Sequence, residues 1–134
     1  MPQVPIDFSD YHRTVIAYHG TTVETAERLV AGEDFQPSDQ DDEWFGKGIY
    51  FWEHAFQQAW RWAKKKDKMN PAVVGAVLRL GNCFDLLDTG NVAVLRDFHE
   101  KYVAKIQVAG LGLAVNVWNR KSLDCAVFNR LAAN

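Results

Sequence analysis

The stretch Trp44-Phe45-Gly46-Lys47-Gly48-Ile49-Tyr50-Phe51-Trp52 constrains this chain more than any other, because two glycines and five aromatic rings share nine residues. Gly46 and Gly48 let the backbone take positive φ or approach a ligand closely. The β-prone run Ile49-Tyr50-Phe51-Trp52 predicts a strand leaving that turn. Two readings are open at this point: a tight turn feeding a buried aromatic strand, or a pocket in which ring faces stand beside bare backbone.

A length of 134 residues predicts a single domain, residues 1–134, able to bury a core without disulfides or a structural metal. Aromatics at 13% with five Trp predict a core or pocket rich in rings. A net charge of −2 argues against a generic polyanion binder. Cys83 and Cys125 form no C-x-x-C pair or Cys/His ligand spacing, so reduced, buried thiols are expected and no metal is signalled. No run approaches the roughly 18 apolar residues of a membrane span, and the start Met1-Pro2-Gln3-Val4-Pro5 lacks a basic, apolar leader. The expected location is cytoplasmic, with delivery into the cytoplasm of a target cell as the variant.

Along the chain, Arg13–His19 predicts a short, largely buried strand stopped by Gly20. Thr21 or Thr22 caps the next element, where Ala26, Leu29 and Val30 share a helical face before Gly32. A histidine therefore sits at a strand end beside a helix start. Residues 33 to 43 are acidic and centred on Pro37, a solvated loop or a flap over the pocket. His54–Lys66 predicts a helix with Ala55, Ala59, Trp62 and Ala63 on one face and Phe56 and Trp60 on an adjacent one. Its closing lysines, Lys64 to Lys66, read as cations complementing the helix dipole, with nucleic-acid contact as the alternative.

Ala72–Leu80 predicts a fully buried strand broken by Gly81-Asn82, with Cys83–Asp88 extended beyond it. A helix from about Asn91 carries Leu95, Phe98, Tyr102 and Ile106 on one stripe and ends near Gly110. Leu123-Asp124-Cys125-Ala126-Val127-Phe128 predicts a last strand with one acid among apolar neighbours. Strands and helices mix without regular alternation, so the expected class is α+β with a largely antiparallel sheet.

His19, Tyr50 and Asp124, in this order, resemble the His-Tyr-acid triad of the diphtheria-toxin-like ADP-ribosyltransferases, the group that includes the poly(ADP-ribose) polymerase catalytic domain. Tyr18-His19-Gly20-Thr21 resembles the group's His-Gly-Ser/Thr turn. Phe45-Gly46-Lys47-Gly48-Ile49-Tyr50-Phe51 is similar to its F-G-K-G-I-Y-F strand, and Gly75–Leu86 to its G-x-V-x-L-G-N-x-x-E-L segment. The third residue departs from the usual Glu, being Asp124. The resemblance implies a split antiparallel sheet with flanking helices and a cleft joining His19, Tyr50 and Asp124, with the loop from Glu33 to Glu43 at its rim.

It also implies NAD as co-substrate without a metal. His19 would bond a ribose hydroxyl, the Gly20 backbone and Thr21 hydroxyl would meet the carboxamide, and Tyr50 would stack on the nicotinamide. A second ring is expected from the helix after Tyr50. Counting lands on Arg61 between Trp60 and Trp62, and Trp62 is assigned. Asp124 would stabilise the oxocarbenium-like ribose, with Glu43 or Glu53 next in line for that role.

The implied activity is transfer of single ADP-ribose units to a macromolecular acceptor, protein or nucleic acid. By analogy of size this suits a bacterial toxin or defence effector with a neutralising antitoxin or immunity partner. Two rivals stand beside it. One is a catalytically inactive NAD- or ADP-ribose-binding module of the same fold. The other is an RNA 2′-phosphotransferase of related fold, which needs a second histidine and a basic residue where this chain has Tyr50 and an acid.

Overall fold

The structure, a computed structural model, describes residues 9–38, 45–112, 114, 116–117 and 120–133. Trp44, Glu43 and the rest of residues 39–44 lie outside them. The protein is mixed α+β, and its chain divides into two units: a sheet unit of Asp10–Pro37 and Ile49–Asn82, and a helical unit built chiefly from Ser38–Gly48 and Cys83–Asn134.

In the sheet unit, β1 (Ser9–Thr22) is the central strand of a three-stranded antiparallel sheet in the order β2-β1-β3. Its neighbours are β2 (Trp52–Glu53) and β3 (Pro71–Cys83). Thr22 ends the strand and caps α1 (Val23–Val30), its hydroxyl accepting from the Thr25 amide. The helix closes at Gly32, whose φ is +104°, with Gly32 N–H donating to Leu29 O and Glu33 N–H to Arg28 O. That double bond through a left-handed glycine is the Schellman arrangement.

Helix α2 (Phe56–Lys66) has no side-chain cap at Ala55, and His54, at φ +52°, turns the chain into it from β2. Packing holds it instead, for Ala59 and Ala63 are wholly buried. Opposite them is Gly20, where a Cβ would fall inside contact distance of the Ala59 carbonyl oxygen and 3.1 Å from the Ala63 nitrogen. Gly20 therefore does not stop β1, as the sequence suggests. It lets the strand pass under the helix. The edge of the Tyr18 ring meets Phe56 on the same side, with centroids 5.6 Å apart.

The helical unit holds α3 (Thr89–Val108), the short antiparallel strands β4 (Asn116–Val117) and β5 (Arg120–Lys121), and α4 (Ser122–Ala132). The Asp88 carboxylate caps α3 by accepting from Gly90 N–H at 2.7 Å and Asn91 N–H at 3.2 Å. Gly110, at φ +68°, ends α3 with the same pair of bonds that closes α1. Leu95, Phe98, Tyr102 and Ile106 are all half-buried along it, as their stripe predicts. Cys125, Val127 and Leu131 of α4 are buried, and α4 packs against α3 and β4.

Four further expectations are corrected. Leu123–Phe128 is not a strand but the first half of α4. An apolar run this short has no decisive periodicity, and the Asn116 side chain settles it by accepting from the Leu123 and Asp124 amides at 3.0 and 3.2 Å. β3 is not fully buried: half-buried and exposed residues alternate from Val74 to Gly81, Val77 is 73% exposed, and the strand continues through Gly81 and Asn82. The strand expected at Ile49–Trp52 pairs only as Trp52–Glu53, against Tyr18 and Ala17. Val30 is exposed rather than on the inner face of α1. Among the described residues no helix is long and apolar enough to cross a membrane.

Gly20→Ala is expected to lower stability by about 1–3 kcal/mol through overpacking against α2, read as a lowered urea midpoint. Gly48→Ala, whose Cβ meets no atom within 4 Å, serves as the comparison and should leave the midpoint close to wild type. Equal midpoints for the two variants would mean that α2 can retreat from β1 without loss.

Candidate functional site

Side chains alternate along β1, so His19 and Thr21 face away from the side on which Gly20 meets α2. Thr21 is 7% exposed, and the His19 ring is half-buried among aromatic neighbours. The edge of the Phe35 ring meets it at 5.3 Å between centroids, and Phe51 lies tilted at 5.5 Å, with Phe35 and Phe51 5.3 Å apart. The first residues of the acidic loop thus carry a ring inward. Sequence reasoning missed both rings, although Phe51 lies in the aromatic stretch; nothing local distinguishes Phe35.

His19 Nδ1 donates to the Tyr50 carbonyl oxygen at 2.8 Å. A carbonyl only accepts, so the proton is on Nδ1 and the neutral ring offers Nε2 as an acceptor. β2 pairs with Ala17 and Tyr18 of β1.

Burial pushes the His19 pKa below the ordinary histidine value; the Tyr50 carbonyl opposes this and the Lys66 charge adds to it. The ring is therefore neutral at physiological pH. Folding holds His19 proton-poor relative to the unfolded chain, so its contribution to stability is complete above the ordinary value and declines as pH falls through it.

Tyr50 itself is half-buried. Trp62, on α2, packs its ring against Trp52 with centroids 5.6 Å apart and planes at 47°. His19, Gly20, Thr21, Tyr50 and Trp62 all belong to the sheet unit. Asp124 belongs to the helical unit, in the first turn of α4, where its Oδ1 accepts from Asn116 Nδ2 at 2.8 Å. Asn116 therefore ties the acid to β4 while capping the helix, a role no local pattern announces. Glu53, the fallback acid in the sheet unit, meets Arg13 at 3.4 Å and is exposed.

The glycine turn is docked within the helical unit. Gly46 has φ +79°, the Lys47 amide donates to Asn129 Oδ1 at 2.6 Å, and Phe45 meets Phe128 edge-on at 5.3 Å. A Cβ on Gly46 would lie 3.1 Å from the Asn129 nitrogen, so both conformation and space require glycine there. Ser38 N–H donates to Gly48 O at 2.8 Å. A separate, open cavity of about 310 Å³ is lined by Thr22, Val23, Glu24, Glu27, Asp67 and Asn70, and includes none of the triad residues. Among the described residues no three His, Cys, Asp or Glu side chains are grouped to hold a metal ion.

No family model and no solved structure matches the chain. It is similar to a protein of Methanocaldococcus jannaschii named only as uncharacterized, with 43% identity over 54 residues, 38% of this chain and 24% of that protein. The match thus spans about a quarter of that relative's length.

An NMR titration of the four histidines should place the His19 midpoint below the ordinary histidine value. A His19 midpoint at or above the ordinary value would contradict the burial account.

Proposed function

We propose that the protein is an NAD-dependent mono-ADP-ribosyltransferase with a fold of the ADP-ribosyltransferase kind, cleaving the nicotinamide–ribose bond and passing ADP-ribose to a macromolecular acceptor. The observation that carries this reading is the bond from His19 Nδ1 to the Tyr50 carbonyl. It joins the two motif stretches whose types and order match that chemistry, and it leaves Nε2 of a neutral ring to accept from a ribose hydroxyl.

The rest of the reading follows from what NAD requires. The carboxamide has a donor and an acceptor to satisfy, and the Gly20 backbone and the Thr21 hydroxyl are assigned to them. A nicotinamide ring stacked on Tyr50 gains roughly 0.5–1.5 kcal/mol beyond area burial. Departure of neutral nicotinamide leaves positive charge on the ribose, and a carboxylate stabilises it most in the transition state. Asp124 is assigned that role, with its carboxylate in the first turn of α4, where the helix dipole favours the anion. The acceptor's nucleophile then attacks the ribose carbon that nicotinamide has left and loses its proton to a base.

A second reading is favoured by one observation, the engagement of Asp124 by Asn116. On that reading the contact braces α4 on β4, and the protein is an NAD- or ADP-ribose-binding module without turnover.

Calorimetry and nicotinamide release separate the two. On the transferase reading, Asp124→Asn leaves NAD affinity near wild type while turnover falls at least about a hundredfold, roughly 2.7 kcal/mol of transition-state stabilisation. Tyr50→Ala should weaken NAD binding by roughly 1–2 kcal/mol. Similar turnover for wild type and Asp124→Asn moves the assignment to another acid, tested by Glu53→Gln. NAD binding with no nicotinamide release across a broad set of acceptors selects the binding module. A folded protein that binds no NAD ends both readings.

A further inference from the structure

Helix α2 presents a surface that the NAD reading does not use. Ala59 and Ala63 are buried, and the arc away from them carries Trp60, Lys64, Arg61 and Lys65 in helical succession, with Phe56 at its margin. Phe56 is 44% exposed and its ring runs parallel to that of Trp60, with planes 10° apart and centroids 6.5 Å apart. Lys64 Nζ lies 5.3 Å from the Trp60 ring centroid. Between Phe56 and Lys68 the sequence has five cations and one carboxylate, in a chain whose net charge is −2.

The dipole of α2 explains lysines in its last turn, but it does not explain an exposed Phe56 ring lying parallel to a half-buried Trp60 beside them. Parallel rings with cations along one side are what single-stranded nucleic acid requires: faces for unstacked bases and charges for the phosphates between them. A duplex hides its base faces, so the rings would gain nothing from it. A membrane surface calls for a broad apolar helix face, and the apolar face of α2 is spent on the sheet.

We infer that the Phe56–Trp60 ring pair of α2, with Arg61, Lys64 and Lys65 of the same helix and Lys68 two residues beyond its end, is a docking surface for single-stranded nucleic acid. Bases stack on the rings while the four cations neutralise successive phosphates. Binding here is independent of NAD turnover, so it stands or falls apart from the transferase reading.

Fluorescence anisotropy with labelled oligothymidylate and oligouridylate of about 20 nucleotides tests this on the whole chain, since single-strand site sizes run to about 16 nucleotides. Four phosphates at about 0.7 each give a log–log salt slope near −3, a loss of about fiftyfold in affinity between about 50 and 200 mM salt. Lys64→Glu with Lys65→Glu should cost at least about tenfold and flatten that slope. Trp60→Ala should cost at least about fivefold and leave the slope unchanged, whereas Trp60→Phe should stay near wild type. If Trp60→Ala does not fold, Phe56→Ala supplies the same reading from a more exposed ring. The inference is overturned if neither strand binds at the lower salt, if a duplex of the same length binds as tightly, or if the folded ring variants bind like wild type. Binding to anionic phospholipid vesicles in place of the strands would likewise overturn it.

Discussion

Because Gly20 carries no side chain, β1 and α2 lie against each other at backbone distance, with Ala59 and Ala63 completely buried. Close approach of this kind fixes the rotation of the strand as well as its position. Alternation then sends Tyr18 toward Phe56 on the helix side, and His19 and Thr21 the other way. The ring environment of His19 and the exposed arc of α2 are two results of one contact. A side chain at residue 20 would disturb both.

His19 shows how a polar group can be placed among rings at small energetic cost. Its Nδ1–H bond to the Tyr50 carbonyl satisfies the half-buried donor. Such a bond is worth about 1 kcal/mol net. It also sets orientation. The imidazole acquires a fixed tautomer, Phe35 and Phe51 restrict its rotation, and burial keeps it uncharged.

In the helical unit, asparagine amides take the organising role that backbone ladders take in the sheet. Asn129 receives the Lys47 amide at the glycine turn, and Asn116 receives the first amides of α4 while donating to Asp124. A carboxylate on a helix is oriented differently from one on a strand, and this separates Asp124 from the strand placement that the motif order implies. Its chemistry depends on whether the Asn116 contact orients the anion or occupies it.

Much of the local structure is legible in the residues. Thr22 as a cap, Gly32 and Gly110 as stops, the stripe of α3 and the histidine beside a helix start all follow from interactions within a few positions along the chain. Such signals are local because the groups they satisfy are the orphan amides and carbonyls of a single helix end. The features that escaped depend on partners far away in sequence. Asn116 caps the first amides of the helix that holds Leu123–Phe128, His19 bonds the Tyr50 carbonyl beside the end of β2, and Phe35 meets His19 and Phe51. The sequence by itself determined the α+β class, most helix ends and the residue types at the candidate site. Tertiary structure alone decided which backbone groups were free to pair and which side chains met, because neither is defined until segments distant along the chain are in contact.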